Sequence, residues 1–138
     1  MALTHLLDTS VLTRLDEPSV RQAVEPPAAQ RGEVARAGIS DLEIGFSARN
    51  ASEWDRLMDA VKAFDLVETT AEHVRRAKRV QRLLAAEHQR GRKVPDLLIA
   101  AAAETAGLTV LHYDADFDLI ASVTGQPCEW VVPPGSID

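Results

Sequence analysis

Short apolar runs that break abruptly at acidic residues constrain this chain most. Residues 3–7 (LTHLL) end at Asp8-Thr9-Ser10, and residues 108–113 (LTVLHY) end at Asp114-Ala115-Asp116. A run this short, apolar almost throughout rather than alternating, reads as a strand buried on both faces, and Asp-Thr-Ser is a helix-start signal. Residues 64–68 (FDLVE) and 128–132 (CEWVV) read as further strands, the last closed by Pro133-Pro134. Strands alternating with helical segments predict an α/β fold, one domain over residues 1–138 with a mainly parallel central sheet flanked by helices. A length of 138 residues and a 46% hydrophobic fraction suit one core.

The intervening segments carry helical punctuation. Pro18 suits the first turn of a short helix ended by Pro26-Pro27, and the Ala-rich polar piece leading to Ala37 reads as helix or loop. Ser40 is expected to cap a helix on which Glu43 lies beside an apolar stripe of Leu42 and Phe46. Ser52 opens a helix with Trp54, Leu57, Met58 and Val61 at i, i+3, i+4, i+7, residues suited to core or subunit contacts. Thr69 with Glu72 forms a capping-box pattern for a helix running to about Arg90 and stopped by Gly91. Its core stripe is Val74, Ala77, Val80 and Leu84, with Arg75, Arg79 and Arg82 on another face. Pro95 and Asp96 open a small, apolar helix that packs closely until Gly107, and a last helix follows Asp114 as far as Gly125.

Composition removes several functions. A single cysteine, Cys128, permits no intramolecular disulfide, and four scattered histidines form neither HExxH nor a Cys/His cluster, which argues against zinc. A net charge of −6 argues against a polyanion binder working through global charge, so any nucleic-acid contact needs a local basic patch or bound metal. Arg90, Arg92 and Lys93 are the candidates for phosphate contact. No basic segment opens the chain and no apolar run reaches the roughly 18 residues of a membrane span, so a cytoplasmic protein is expected.

Asp8, Glu43, Asp96, Asp114 and Asp116 are the candidate functional residues. In a parallel sheet the C-terminal strand ends share one edge, where ligands bind, so Asp8 and Asp114 are expected to meet there. Asp96 falls in a helix's first turn, where the macrodipole favours its charge. Convergent carboxylates without His or Cys suit a hard divalent ion such as Mg²⁺ or Mn²⁺, and metal-assisted phosphoryl hydrolysis is the chemistry that needs them. Asp41 and Asp118 neighbour these acids at a different helical phase and rank below them.

The segments LLDTSVL, DLEIGFSAR, VPDLLIAAAA and HYDADFDLIA, in this order and spacing, closely resemble PIN-domain ribonucleases, specifically VapC-type toxins of toxin–antitoxin pairs. The resemblance spans essentially the whole chain. It implies an endoribonuclease using Mg²⁺ or Mn²⁺, acting on RNA such as tRNA or rRNA, often a homodimer and neutralised by a VapB-type antitoxin. It further implies that Asp8, Glu43, Asp96 and Asp114 are the catalytic acids. Asp8, Asp96 and Asp114 would bind metal, joined by Glu43 as ligand or water-orienting group and by Asp116 as an additional acid. Thr9 and Ser10 match hydroxyl residues that support the first aspartate. Two other readings remain at this point. An aspartyl-phosphate phosphatase would usually carry a second aspartate where Ser10 stands, and a catalytically weak PIN-fold module would bind RNA or regulate an antitoxin complex without cutting.

Overall fold

In the computed structural model, which describes residues 2–25, 33–89 and 93–138, the apolar runs pair into one sheet. Strands β1 (His5–Leu7), β2 (Val34–Ala37), β3 (Asp65–Val67), β4 (Thr109–His112) and β5 (Cys128–Trp130) lie in the order β3-β2-β1-β4-β5, with every neighbouring pair parallel. The chain therefore winds outward from β1 in two directions. The switch falls at β1 and β4, and a parallel sheet opens its ligand crevice at the C-terminal ends of such strands.

Seven helices are found among the described residues: α1 (Thr9–Leu12), α2 (Pro18–Val24), α3 (Gly38–Phe46), α4 (Ala51–Val61), α5 (Ala71–Ala86), α6 (Val94–Ala106) and α7 (Asp116–Thr124). They cover both faces, because successive side chains of a strand point opposite ways. Leu6 and Val110 pack with Ala77, Val80 and Leu84 of α5, the Ile99–Ala103 stretch of α6, and Phe117 and Ile120 of α7. Leu7 and Leu111 pack on the other side with Val11, Val20, Val24, Ile44 and Val61. Four consecutive alanines, Ala100 to Ala103, are at most 2% exposed, so α6 lies close against the sheet and leaves no room for larger side chains. Gly107, in the left-handed conformation at φ 70°, ends α6 and turns the chain into β4.

Several local expectations shift. The Ala-rich piece read as helix or loop contains β2, a strand whose Val34-Ala35-Arg36-Ala37 is buried throughout, so tertiary pairing overrides its helical composition. Ser40 does not cap α3; Ala37 precedes the helix and Ser40 is fully buried in its first turn. Asn50, not Ser52, caps α4 by accepting from the Glu53 N–H. The capping box of α5 is one residue later than read, between Thr70 and His73. That helix ends at Ala86; Arg90, Gly91 and Arg92 lie outside the described residues, as do Pro26 and Pro27. Leu42, Phe46 and Val74 were expected on apolar stripes but are 71%, 92% and 45% exposed. Trp54 is also half-exposed and rests on Gly45, where an added Cβ would come within 2.6 Å of its indole nitrogen.

Candidate active site

Asp8 leaves β1 with its backbone N–H bonded to the Leu111 carbonyl of β4, which stitches the two strand ends together. Its side chain caps α1: the Ser10 backbone N–H donates to Asp8 Oδ2 at 3.0 Å and the Ser10 hydroxyl to the same atom at 2.5 Å. The Ser10 hydroxyl also accepts from the Tyr113 N–H at 2.9 Å, so one serine ties the first acid to the end of β4. Asp8 is only 2% exposed, and Oδ1 has no hydrogen-bond partner among the described residues. Capping thus uses one carboxylate oxygen and leaves the other uncommitted.

Asp114 follows β4 by two residues. Its Oδ1 accepts from the Asp116 N–H at 2.9 Å, and its own N–H donates to His112 Nδ1 at 3.2 Å. His112 is fully buried, and burial lowers its pKa, so the ring is neutral and serves to shape this turn. Asp96 sits in the first turn of α6, 3% exposed, with Oδ2 lacking a hydrogen-bond partner among the described residues. One carboxylate oxygen from each of Asp96, Asp114 and Asp116 lies within 4.8 Å of the others.

Glu43 approaches from α3, where Thr9 Oγ1 donates to its Oε1 at 2.6 Å and lies 2.8 Å from Ser40 Oγ. Thr9 therefore holds Glu43, whereas Ser10 holds Asp8; the two hydroxyls expected to support the first aspartate divide between two acids. Asp8, Glu43, Asp96 and Asp114 line one cleft of about 220 Å³, together with Thr9, Ser10, Thr13, Arg14, Lys93 and Tyr113. The acids ranked lower are engaged elsewhere. Asp41 forms a bidentate pair with Arg36 at 2.7 and 3.1 Å, and Asp118 accepts from the Trp130 indole at 3.2 Å.

The electrostatics follow from this crowding. Burial, then the nearby charge of Asp8, pushes Asp96 up to about 8. Burial also raises Asp8, against the pull of its bonds to Ser10. At Asp114 burial acts upward too, but the Lys93 ammonium and the Asp116 N–H outweigh it and hold the carboxyl below its usual range. Lys93 Nζ stands 2.8 Å from Asp114 Oδ2 and 3.9 Å from Asp96 Oδ2, and the first contact raises its own pKa.

Uncommitted, nearly inaccessible oxygens on Asp8 and Asp96, an oxygen-only donor set and mutual repulsion match what a hard divalent ion requires. Arg14 and Tyr113 were not anticipated in the cleft. Tyr113 adjoins Asp114 at the strand end, which is a usable signal. Arg14 lies over the Tyr113 ring, 5.1 Å from its centroid, and donates to the Asp138 carboxylate, a partner 124 positions away that leaves no local mark in the sequence.

A parallel sheet with a carboxylate cleft at its switch point defines a class, and the chain belongs to the PIN-domain family, whose model matches residues 5–123. It is 69% identical to Ribonuclease VapC51 of Mycobacterium tuberculosis, over 100% of both chains. It is also 44% identical to Ribonuclease VapC21 of the same species, over 99% of each. Among solved structures it is similar to VapBC2 from Rickettsia felis bound to a promoter DNA fragment, with a TM-score of 0.76 at 15% identity, covering 94% of this chain and 98% of that one.

Proposed function

We propose that the protein is a metal-dependent endoribonuclease toxin of a toxin–antitoxin pair, cutting RNA phosphodiesters in the cleft between β1 and β4. The observation that carries this reading is the convergence of Asp96, Asp114 and Asp116 in a cleft that Asp8 also lines, with Asp8 Oδ1 and Asp96 Oδ2 lacking a hydrogen-bond partner among the described residues, in a chain 69% identical to a named ribonuclease. Asp8, Asp96 and Asp114 are the direct ligands, Asp116 adjusts the cluster, and Mg²⁺ or Mn²⁺ is the ion. When bound, such an ion neutralises phosphate oxygens and acidifies a water. Glu43, steadied by the Thr9 hydroxyl, would either join the ligands or orient the attacking water. Ser10 holds Asp8 Oδ2 through its N–H and its hydroxyl, which leaves Oδ1 as the atom for the ion. Arg14 and Lys93 supply the positive charge that an anionic backbone meets at the rim of an otherwise acidic cleft.

The partner in this reading is a VapB-type antitoxin in the cytoplasm, with the toxin itself a homodimer, and the RNA a structured one such as tRNA or rRNA. Exposed Leu42 and Phe46 lie on the same helix as Glu43 and offer an apolar surface that an antitoxin segment would cover. The test is cleavage of defined tRNA and rRNA fragments by wild type and Asp96→Asn, with Mg²⁺ or Mn²⁺ and with chelator. Cleavage should require metal, fail in the variant at unchanged fold, and stop when the cognate antitoxin is added. Chelator-resistant cutting, or full activity of Asp96→Asn, would sink the assignment.

A further inference from the structure

We infer that Lys93 is an internal counter-ion that occupies the cation's place in the metal-free cleft and passes to the RNA backbone when metal binds. The inference rests on the metal-centre reading above and extends it to a residue outside the carboxylate set. Lys93 Nζ donates to Asp114 Oδ2 at 2.8 Å and lies 3.9 Å from Asp96 Oδ2, within ion-pair reach of two of the three carboxylates that converge within 4.8 Å. A divalent ion held by Asp96 and Asp114 competes with this ammonium group, because the two cations repel and Asp114 Oδ2 is already engaged by Lys93.

The two partners differ in freedom. Asp96 is fixed by burial in the first turn of α6, whereas the Lys93 side chain is 58% exposed and belongs to the residue that precedes the helix. Four methylenes let the ammonium swing out with no backbone change. Lysine is a compact, strongly hydrated point charge that suits a phosphate without fixed geometry. After leaving Asp114 it stays at the mouth of the cleft, tethered three residues from Asp96. Lys93 therefore opposes metal binding and favours RNA binding, two effects of opposite sign from one side chain.

The experiment titrates Mn²⁺ alone by calorimetry into wild type, Lys93→Met, Lys93→Gln and Arg14→Gln. The last removes a cleft cation that makes no contact with the cluster. RNA affinity is then read by fluorescence anisotropy in Mn²⁺ over a salt series, with Glu43→Gln added to every protein to stop cleavage. Both Lys93 variants should bind Mn²⁺ roughly three- to tenfold more tightly, well beyond Arg14→Gln. They should bind RNA roughly three- to tenfold more weakly, with a salt slope smaller by about one. Unchanged or weaker Mn²⁺ binding, a gain no larger than that of Arg14→Gln, or unaltered RNA affinity would overturn the counter-ion role alone. Failure of wild type to bind Mn²⁺ would overturn the metal centre and this inference with it.

Discussion

Asp41 and Asp96 occupy the same kind of position, the first turn of a helix, yet they are opposite in character. Both gain from the helix macrodipole. Asp41 gives each of its oxygens to the Arg36 guanidinium, which also donates to the Phe64 carbonyl and so binds β2, α3 and the entry to β3 together. Among the described residues Asp96 has an oxygen with no hydrogen-bond partner, feels the charges of Asp8, Asp114 and Asp116, and meets a cation at 3.9 Å. The difference teaches that a carboxylate's role is set by whether its partners complete it. A completed acid stabilises the fold, whereas an incomplete one among like charges holds a destabilising arrangement ready for a ligand.

Substituting each acid is the most direct way to break the contrast. If Asp96 holds the ion as proposed, Asp96→Asn should lower RNA cleavage roughly a thousandfold, because a lost ligand forfeits several kcal/mol of transition-state stabilisation. Asp41→Asn should keep cleavage within about threefold while lowering the unfolding midpoint. Equal damage to cleavage by the two would erase the distinction. The next largest effect falls on the Arg36 side of the completed pair. Arg36→Met should cost about 2–4 kcal/mol in urea unfolding, since it strands Asp41 and the Phe64 carbonyl, and Arg36→Met with Asp41→Leu should recover most of that loss. No recovery would mean that the pair is not the source of the stability.

The contrast also explains what could be read from the sequence. β1 and β4 were legible because each is a short apolar run broken by acids, and α6 because Pro95, Asp96 and Gly107 punctuate it at both ends. β2 was not, since Ala-Arg-Ala has no strand-forming character of its own; Arg36 is held there by Asp41 and by pairing with β1 and β3. The same hidden pair is why Asp41 and Glu43 could be ranked only by helical phase. Four of the site acids stood out as charges at element boundaries and Glu43 as a charge beside an apolar stripe, and the fold brings Asp8, Glu43, Asp96 and Asp114 to one cleft with Asp116 beside Asp114. Lys93 was marked by its place just before Asp96, but its pairing with Asp114 and the division of labour between Thr9 and Ser10 depend on contacts up to 103 positions apart and had no local signal.

The pH dependence of stability sharpens the comparison without any substrate. A carboxyl raised to about 8 in the folded state, against an ordinary unfolded value, keeps its proton on folding, so the unfolded chain binds fewer protons between about 4 and 8. Stability contributed by Asp96 must then fall as pH rises through this window, and the raised Asp8 acts in the same direction. Asp114 is lowered and contributes the reverse: stability present above its unfolded pKa and lost in acid as pH falls through the folded value. Metal-free wild type should therefore lose stability relative to Asp96→Asn as pH is raised from about 5 to 8, by about 1 kcal/mol per unit at the steepest. Excess Mg²⁺ should flatten the difference. Parallel urea-unfolding profiles for the two metal-free proteins would show that Asp96 is completed by some other means.

The smallest effects separate the two hydroxyls that hold the incomplete acids in place. Ser10→Ala removes the 2.5 Å bond to Asp8 Oδ2 and leaves the Tyr113 N–H without its acceptor, so it should cost about 1 kcal/mol of stability and weaken metal binding roughly tenfold. Thr9→Val keeps the side chain's shape and takes away the hydroxyl that donates to Glu43 and bonds the buried Ser40, leaving the bonds to Asp8 untouched. If Glu43 acts on water rather than on the ion, Thr9→Val should leave Mn²⁺ affinity within about twofold and lower the cleavage rate roughly tenfold. Calorimetry beside single-turnover cleavage distinguishes the outcomes. A loss of metal affinity in Thr9→Val as large as in Ser10→Ala would make Glu43 a ligand, and the water-orienting role would have to pass to another group in the cleft.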